Sequence, residues 1–278
     1  MIIRHDIAPS LYLVDPSNFP AVLAVDSFQE EIQIAYDEID ELLNPSLLPA
    51  IQPEPEFRTR YDGMGMLIAP RWILSAAHVA TELSLENDIE VAGNAHAVEA
   101  IFLHPQFRNY GENREMAEND IALIQLKQPV EKVEPLPLYA QKDELGKTVT
   151  FVGRGDFGNG LVGPNSVDGK LRIATNRIEE TDDQWLIFKF DTPPDCTELE
   201  GISGPGDSGG PALITTDEGW AIAGISSGQN DHGQTLGEGR YGVWEYYTRV
   251  SFQIDWIKAV MTSRETSRES RETSLRST

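Results

Sequence analysis

The chain has 278 residues, 40% of them hydrophobic and 8% aromatic, enough apolar mass for one large or two small domains with a buried core, and too much for a disordered chain. Its 45 Asp and Glu against 22 Lys and Arg leave a formal charge of -23, which argues against a nucleic-acid partner, because phosphate binding depends on neutralisation by Lys and Arg. A single cysteine, Cys196, rules out a disulfide within the chain; no run approaches the roughly 18 apolar residues of a membrane span.

The remaining bulk features leave more open. Met1 is not followed by the basic segment and apolar core of a leader, so the expected compartment is secreted or periplasmic if a leader has been removed, and cytoplasmic otherwise. His5, His96, His104 and His232 do not fall at ligand spacings, so no metal and no cofactor is expected. Oligomeric state is not legible.

In chain order, Ala21–Val25 reads as a first strand. Residues 26–44 then carry Phe28, Ile32, Ala35, Ile39, Leu42 and Leu43 at three- and four-residue spacings among Asp and Glu, the pattern of an acidic amphipathic helix. Residues 49–60, with three prolines, read as an extended connector, so that 26–60 looks like an insert. From Gly63 the chain breaks into short β-rich runs: "MGMLIAP", "WILSAA", "AVEAIFL", "IALIQL", "KTVTFVG", "WLIFKF", "PALIT", "WAIAGISS" and "YYTRV". Such runs, separated by Gly, Pro, Asn and Asp, predict an all-β sandwich or barrel. "VSFQIDWIKAVM", residues 250–261, has helical spacing after Ser251 as its candidate N-cap. Residues 263–278, rich in Ser, Thr, Arg and Glu, read as a disordered tail that follows a domain of residues 1–262.

Three segments carry chemistry. "LSAAHVA" places His78 after a strand, "ENDIALIQL" places Asp120 directly before one, and "GPGDSGGP" surrounds Ser208 with glycines that permit a tight turn. A hydroxyl nucleophile, a base to take its proton and a carboxylate to orient that base are what acyl transfer by serine requires.

In the order His, Asp, Ser, these segments resemble the trypsin/chymotrypsin family of serine peptidases; other triad hydrolases arrange the same residues differently. The resemblance implies two packed six-stranded antiparallel β-barrels, a closing helix and a protein or peptide substrate. It implies that Ser208 attacks, His78 acts as base and then acid, Asp120 fixes the imidazole, and the amides of Gly206 and Ser208 form the oxyanion hole. The alternative is an inactive homologue that acts as a binding protein.

Departures from the family pattern add further expectations. Val79 and Gly63 stand where relatives have a disulfide pair. Asp207, before the nucleophile, asks for a buried cationic partner, which the resemblance assigns to the amine of Ile2 once Met1 is absent. Ile202 occupies the position of the pocket floor, where an apolar group favours apolar or aromatic side chains. Ser203, Ser226, Ser227 and Gly228 are expected to line the pocket; Ser227 replaces the family's usual Trp and opens that wall. Glu245 belongs to the back wall, either pointing inward toward a basic side chain or facing solvent from a loop. Residues 226–230 are the edge strand that would pair with substrate backbone.

Overall fold

The computed structural model describes residues 1–26, 62–110 and 116–276, with side chains through Thr266. The helix and connector expected over 26–60 lie, beyond Asp26, outside the described residues. Strand β1 (Ile2–Ile3) opens the chain. Strands β2 (Val22–Val25), β3 (Gly63–Ala69), β4 (Trp72–Ser75), β5 (Asp88–Val91), β6 (Asn94–Leu103) and β7 (Ala122–Leu126) form a six-stranded sheet in the order β2-β3-β4-β7-β6-β5.

The second half supplies β8 (Thr148–Gly153), β9 (Phe157–Asn159), β10 (Gly163–Ser166), β11 (Arg172–Arg177), β12 (Glu180–Thr181), β13 (Trp185–Lys189), β14 (Gly201–Ile202), β15 (Pro211–Thr216), β16 (Gly219–Asn230) and β17 (Trp244–Arg249). Seven of these make a nearly closed sheet, β11-β8-β15-β16-β17-β13-β12, while the first sheet curls into a half-barrel. The expected six strands become seven in this half because two-residue β12 pairs with β13. A small sheet, β10-β9-β1-β14, ties the N-terminus to the segment before Ser208.

Strand alternation explains how the halves pack. Leu23, Ile73, Ile124 and Leu126 point into the first half's own core, whereas their neighbours Val22, Leu74 and Leu123 join a central cluster. In the second half Phe151, Ala212, Ile214, Ala221 and Ala223 fill the barrel, and Val152, Leu213 and Ile222 turn to that same central cluster. Both faces of these strands are therefore apolar, and period-2 geometry sends one face into each core. Strand β11 escapes a hydrophobicity reading because Arg172 and Asn176 are among its buried residues.

Helix α1 (Ala77–Ala80) is a single turn after β4. Helix α2 (Val250–Arg276) buries Val250, Ile254 and Ile257 in the central cluster. Ser251 is not its N-cap: the helix already includes Val250, and the Ser251 hydroxyl donates to Glu144 at 2.6 Å. Nor does the helix stop near Met261 ahead of a disordered tail, as expected. No Gly or Pro follows that residue to break it, and Arg264 docks the next turn through Gln125 at 3.2 Å and the Phe102 ring.

Gly63 and Val79, where the resemblance implies a disulfide pair in relatives, are closely packed. A Cβ on Gly63 would lie 2.6 Å from a Val79 methyl and 2.7 Å from the Ser208 carbonyl, so the valine side chain fills the space a bridge would span. Cys196 is a free, half-buried thiol.

Candidate active site

His78, Asp120 and Ser208 come from three different connections, and the fold brings them together between the two halves. His78 sits on α1, carried by the buried strand β4. Asp120 stands two residues before β7, after Asn119 in the left-handed region at φ 49°. Ser208 lies in the turn between β14 and β15, where Gly206 (φ 87°) and Gly209 (φ 79°) adopt conformations that favour glycine. The turn is clamped: the Met64 amide donates to the Ser208 carbonyl at 2.7 Å, and the Gly209 amide to the Ser226 carbonyl at 2.8 Å.

Asp120 is fully buried and heavily bonded. Its carboxylate accepts from the His78 amide at 2.9 Å, from His78 Nδ1 at 2.6 Å and from the Ser227 hydroxyl at 2.6 Å. Its backbone carbonyl accepts from Thr248 Oγ1 at 2.8 Å. An ionised carboxylate only accepts, so this contact calls for the ring proton on Nδ1, and a neutral ring so held presents the Nε2 lone pair. His78 and Ser208 line one cavity of about 600 Å³ with Tyr110, Ser203, Ser227 and Gly228.

The amides of Gly206 and Ser208 accept no role in the turn's own bonding among the described residues: Asp207 donates to Gly204 and Gly210 donates to Asp207.

Asp207 finds its cation one residue earlier than expected. The Met1 ammonium lies 2.5 Å from Asp207 Oδ2 and also donates to the Asp156 carbonyl at 2.6 Å. With Met1 in place the Ile2 nitrogen is a peptide amide, and Ile2 lies in β1 opposite Gly158 and Ile202. The Gly155 and Gly204 amides, at 2.6 and 2.9 Å, complete the Asp207 shell.

The expected pocket is rearranged as well. Ile202 is fully buried in a cluster with Ile2, Phe190 and Val243 and is not among the residues lining the cavity. Pairing of β14 with β1 turns its side chain into that cluster, and Ser203 and Val243 form the wall instead. Ser226 is buried and spends its amide and carbonyl on Gly210 and Gly209. Ser227 lines the cavity with its hydroxyl turned to Asp120, and its carbonyl accepts from Tyr110, a residue without a sequence signal of its own.

Glu245 is the clearest correction to a solvent-facing loop. It lies in β17, fully buried, and its carboxylate accepts from the Ser203 amide at 3.0 Å and from the Ser203 hydroxyl. Burial, reinforced by nearby Asp207 and opposed by the Ser203 bonds and the Met1 ammonium, pushes its pKa up to about 7. The folded protein therefore keeps a proton that the unfolded chain releases from its ordinary value of 4.5 upward. Stability from this group is full below that value and is lost as pH rises toward 7, levelling off above. Glu245→Gln is expected to flatten this fall, worth roughly 3 kcal/mol, in urea unfolding between pH 5 and pH 8. An unchanged slope would assign the Glu245 proton elsewhere.

Among the described residues no group of His, Cys, Asp and Glu is arranged to hold a metal ion, and no helix is long and apolar enough to cross a membrane. Residues 56–257 match the family model described as Trypsin. The chain is 30% identical to complement C1r-B subcomponent of Mus musculus over 249 residues, covering 77% of this chain but about a third, 33%, of that protein. It is 30% identical to the tryptase of Mus musculus, covering 69% of this chain and 76% of the relative. Chymotrypsin-C of Mus musculus is also 30% identical, with 70% and 76% covered. The match over most of the chain and the two curled sheets agree, and the chain belongs to the trypsin family of serine proteases.

Proposed function

We propose that this chain is a serine endopeptidase that hydrolyses peptide bonds through an acyl-enzyme. The observation that carries the reading is the buried Asp120 carboxylate holding His78 by Nδ1 in the cavity that Ser208 also lines. In this reading Ser208 Oγ attacks the scissile carbonyl while His78 Nε2 takes its proton; a C–O bond forms and the carbonyl π electrons move to oxygen. The Gly206 and Ser208 amides bind that oxyanion. When the C–N bond breaks, the proton on His78 passes to the leaving amine. Water then repeats the sequence, with His78 again as base, and frees the acid and Ser208.

Asp120 supports the base in two ways. It selects the tautomer with Nε2 free, and it stabilises the imidazolium formed in each step. Ser227 and Thr248 hold the carboxylate and its backbone in place. The Met1–Asp207 pair anchors the other side of the nucleophile turn, next to Gly206.

A fluorophosphonate probe tests the reading directly. The expected result is a single covalent adduct on Ser208, absent in Ser208→Ala, together with hydrolysis of peptides by the wild type alone. No adduct and no hydrolysis by folded wild-type protein would favour the inactive homologue that acts as a binding protein.

A further inference from the structure

One edge of β16 lies open beside the cavity, and a side chain from the other half of the molecule occupies it. Strand β15 pairs with β16 only as far as Pro211 opposite Ile225, and the Gly209 and Gly210 contacts end at Ser226. On its other side β16 stays paired with β17 through Asn230 opposite Trp244. At Ser227 and Gly228, therefore, one edge of β16 has no strand partner among the described residues, and it borders the cavity lined by His78 and Ser208. An unpaired edge of this kind is what an extended peptide uses when it adds as a strand.

Tyr110 already sits on that edge. Its hydroxyl donates to the Ser227 carbonyl. Its ring meets the His78 ring edge-on, with centroids 5.8 Å apart and planes at 67°. A Cβ built on Gly228 would lie 2.5 Å from the Tyr110 oxygen and 3.2 Å from the Met116 methyl, so the two side chains lie directly against the strand. The tyrosine thus reaches from the connection between β6 and β7, in one half of the molecule, across the cleft to the edge strand in the other.

We propose that Tyr110 is a specificity-determining residue that competes with substrate backbone for the Ser227 carbonyl, weakening the hold on extended peptides and leaving substrates without backbone N–H groups unaffected. The inference rests on the endopeptidase reading above. Its physical basis is exchange: a peptide N–H that takes the Ser227 carbonyl first breaks the tyrosine's bond, so no hydrogen bond is gained overall. Removing the hydroxyl makes the same N–H a net gain, which for one hydrogen bond is about 2- to 10-fold in affinity.

Tyr110→Phe isolates this effect, because the ring and its contact with His78 are kept. With the best-cleaved tetrapeptide 4-nitroanilide from a library, KM is expected to fall about 2- to 10-fold, a gain not matched in kcat/KM for 4-nitrophenyl butyrate, which has no backbone N–H. An unchanged or raised KM for the tetrapeptide overturns the proposal, as does an equal gain on the butyrate ester, which would mean simple unblocking of the cavity. A binding arm separates this outcome from failure of the endopeptidase reading. In the Ser208→Ala background, calorimetric Kd for the same tetrapeptide is expected to fall by the same factor when Tyr110→Phe is added, whether or not the wild type hydrolyses anything. Equal Kd values in the two backgrounds overturn the proposal independently of catalysis.

Discussion

Replacing Asp120 by Asn is expected to lower kcat about 10,000-fold, the size of effect that this exchange has in Ser-His-Asp hydrolases, while leaving the fold intact. The substitution keeps the volume of a fully buried residue that receives bonds from His78, Ser227 and, through its carbonyl, Thr248. It removes a charge and converts one acceptor into a donor. With an amide in place of Oδ2, Nδ1 of His78 becomes the acceptor and the ring proton moves to Nε2, the nitrogen that has to accept from Ser208. Stopped-flow hydrolysis measured beside circular dichroism and thermal melting checks both halves of the expectation. A loss below about 100-fold in a normally melting variant would show that His78 keeps its working tautomer without Asp120.

Asp207→Asn is the second large effect, expected at about 100- to 1,000-fold in kcat/KM. The carboxylate and the Met1 ammonium are both almost wholly buried, with 3% and 1% side-chain exposure. Removing one partner from a buried pair typically costs 3–5 kcal/mol, because the other charge stays buried without compensation. That cost falls beside Gly206 and Ser208, whose amides must point at one oxygen. Neutralising the other partner provides an independent route: a protein acetylated at the Met1 nitrogen loses the same ion pair without any change at Asp207. Rates of fluorophosphonate labelling for the two forms should fall together. Full labelling in the acetylated protein would mean that Asp207 does not depend on Met1.

The chemistry-bearing segments were legible because their signals are local. A glycine-rich turn around Ser208, a histidine at the end of an apolar strand and an acid placed directly before another need only a few residues to be recognised. The strands β2, β3, β4, β6, β7, β8, β13, β15, β16 and β17 were visible for the same reason: each contains a short apolar run closed by turn residues. Strand β11 was missed because its buried positions include Arg172 and Asn176, and its inward face is recognised only when the neighbouring strand β8 is in place.

Partners that meet across the fold were a different matter. That the Met1 ammonium reaches Asp207 depends on β1 being paired with β9 and β14, which carries the first residue to the segment before Ser208. The same pairing places Ile202 against Ile2 and withdraws it from the cavity. Glu245 reads as an ordinary acidic residue until β17 is paired on both sides and its carboxylate is enclosed beside Ser203.

The sequence by itself determined the family, the all-β character and the order of His78, Asp120 and Ser208, since composition, period and turn chemistry are properties of short segments. Only the tertiary structure decided which groups are desolvated together: the Met1 ammonium with Asp207, Glu245 with Ser203, and the Tyr110 hydroxyl with the Ser227 carbonyl. Those pairings depend on contacts between residues far apart in the chain, set by strand register and burial, and no local pattern encodes them.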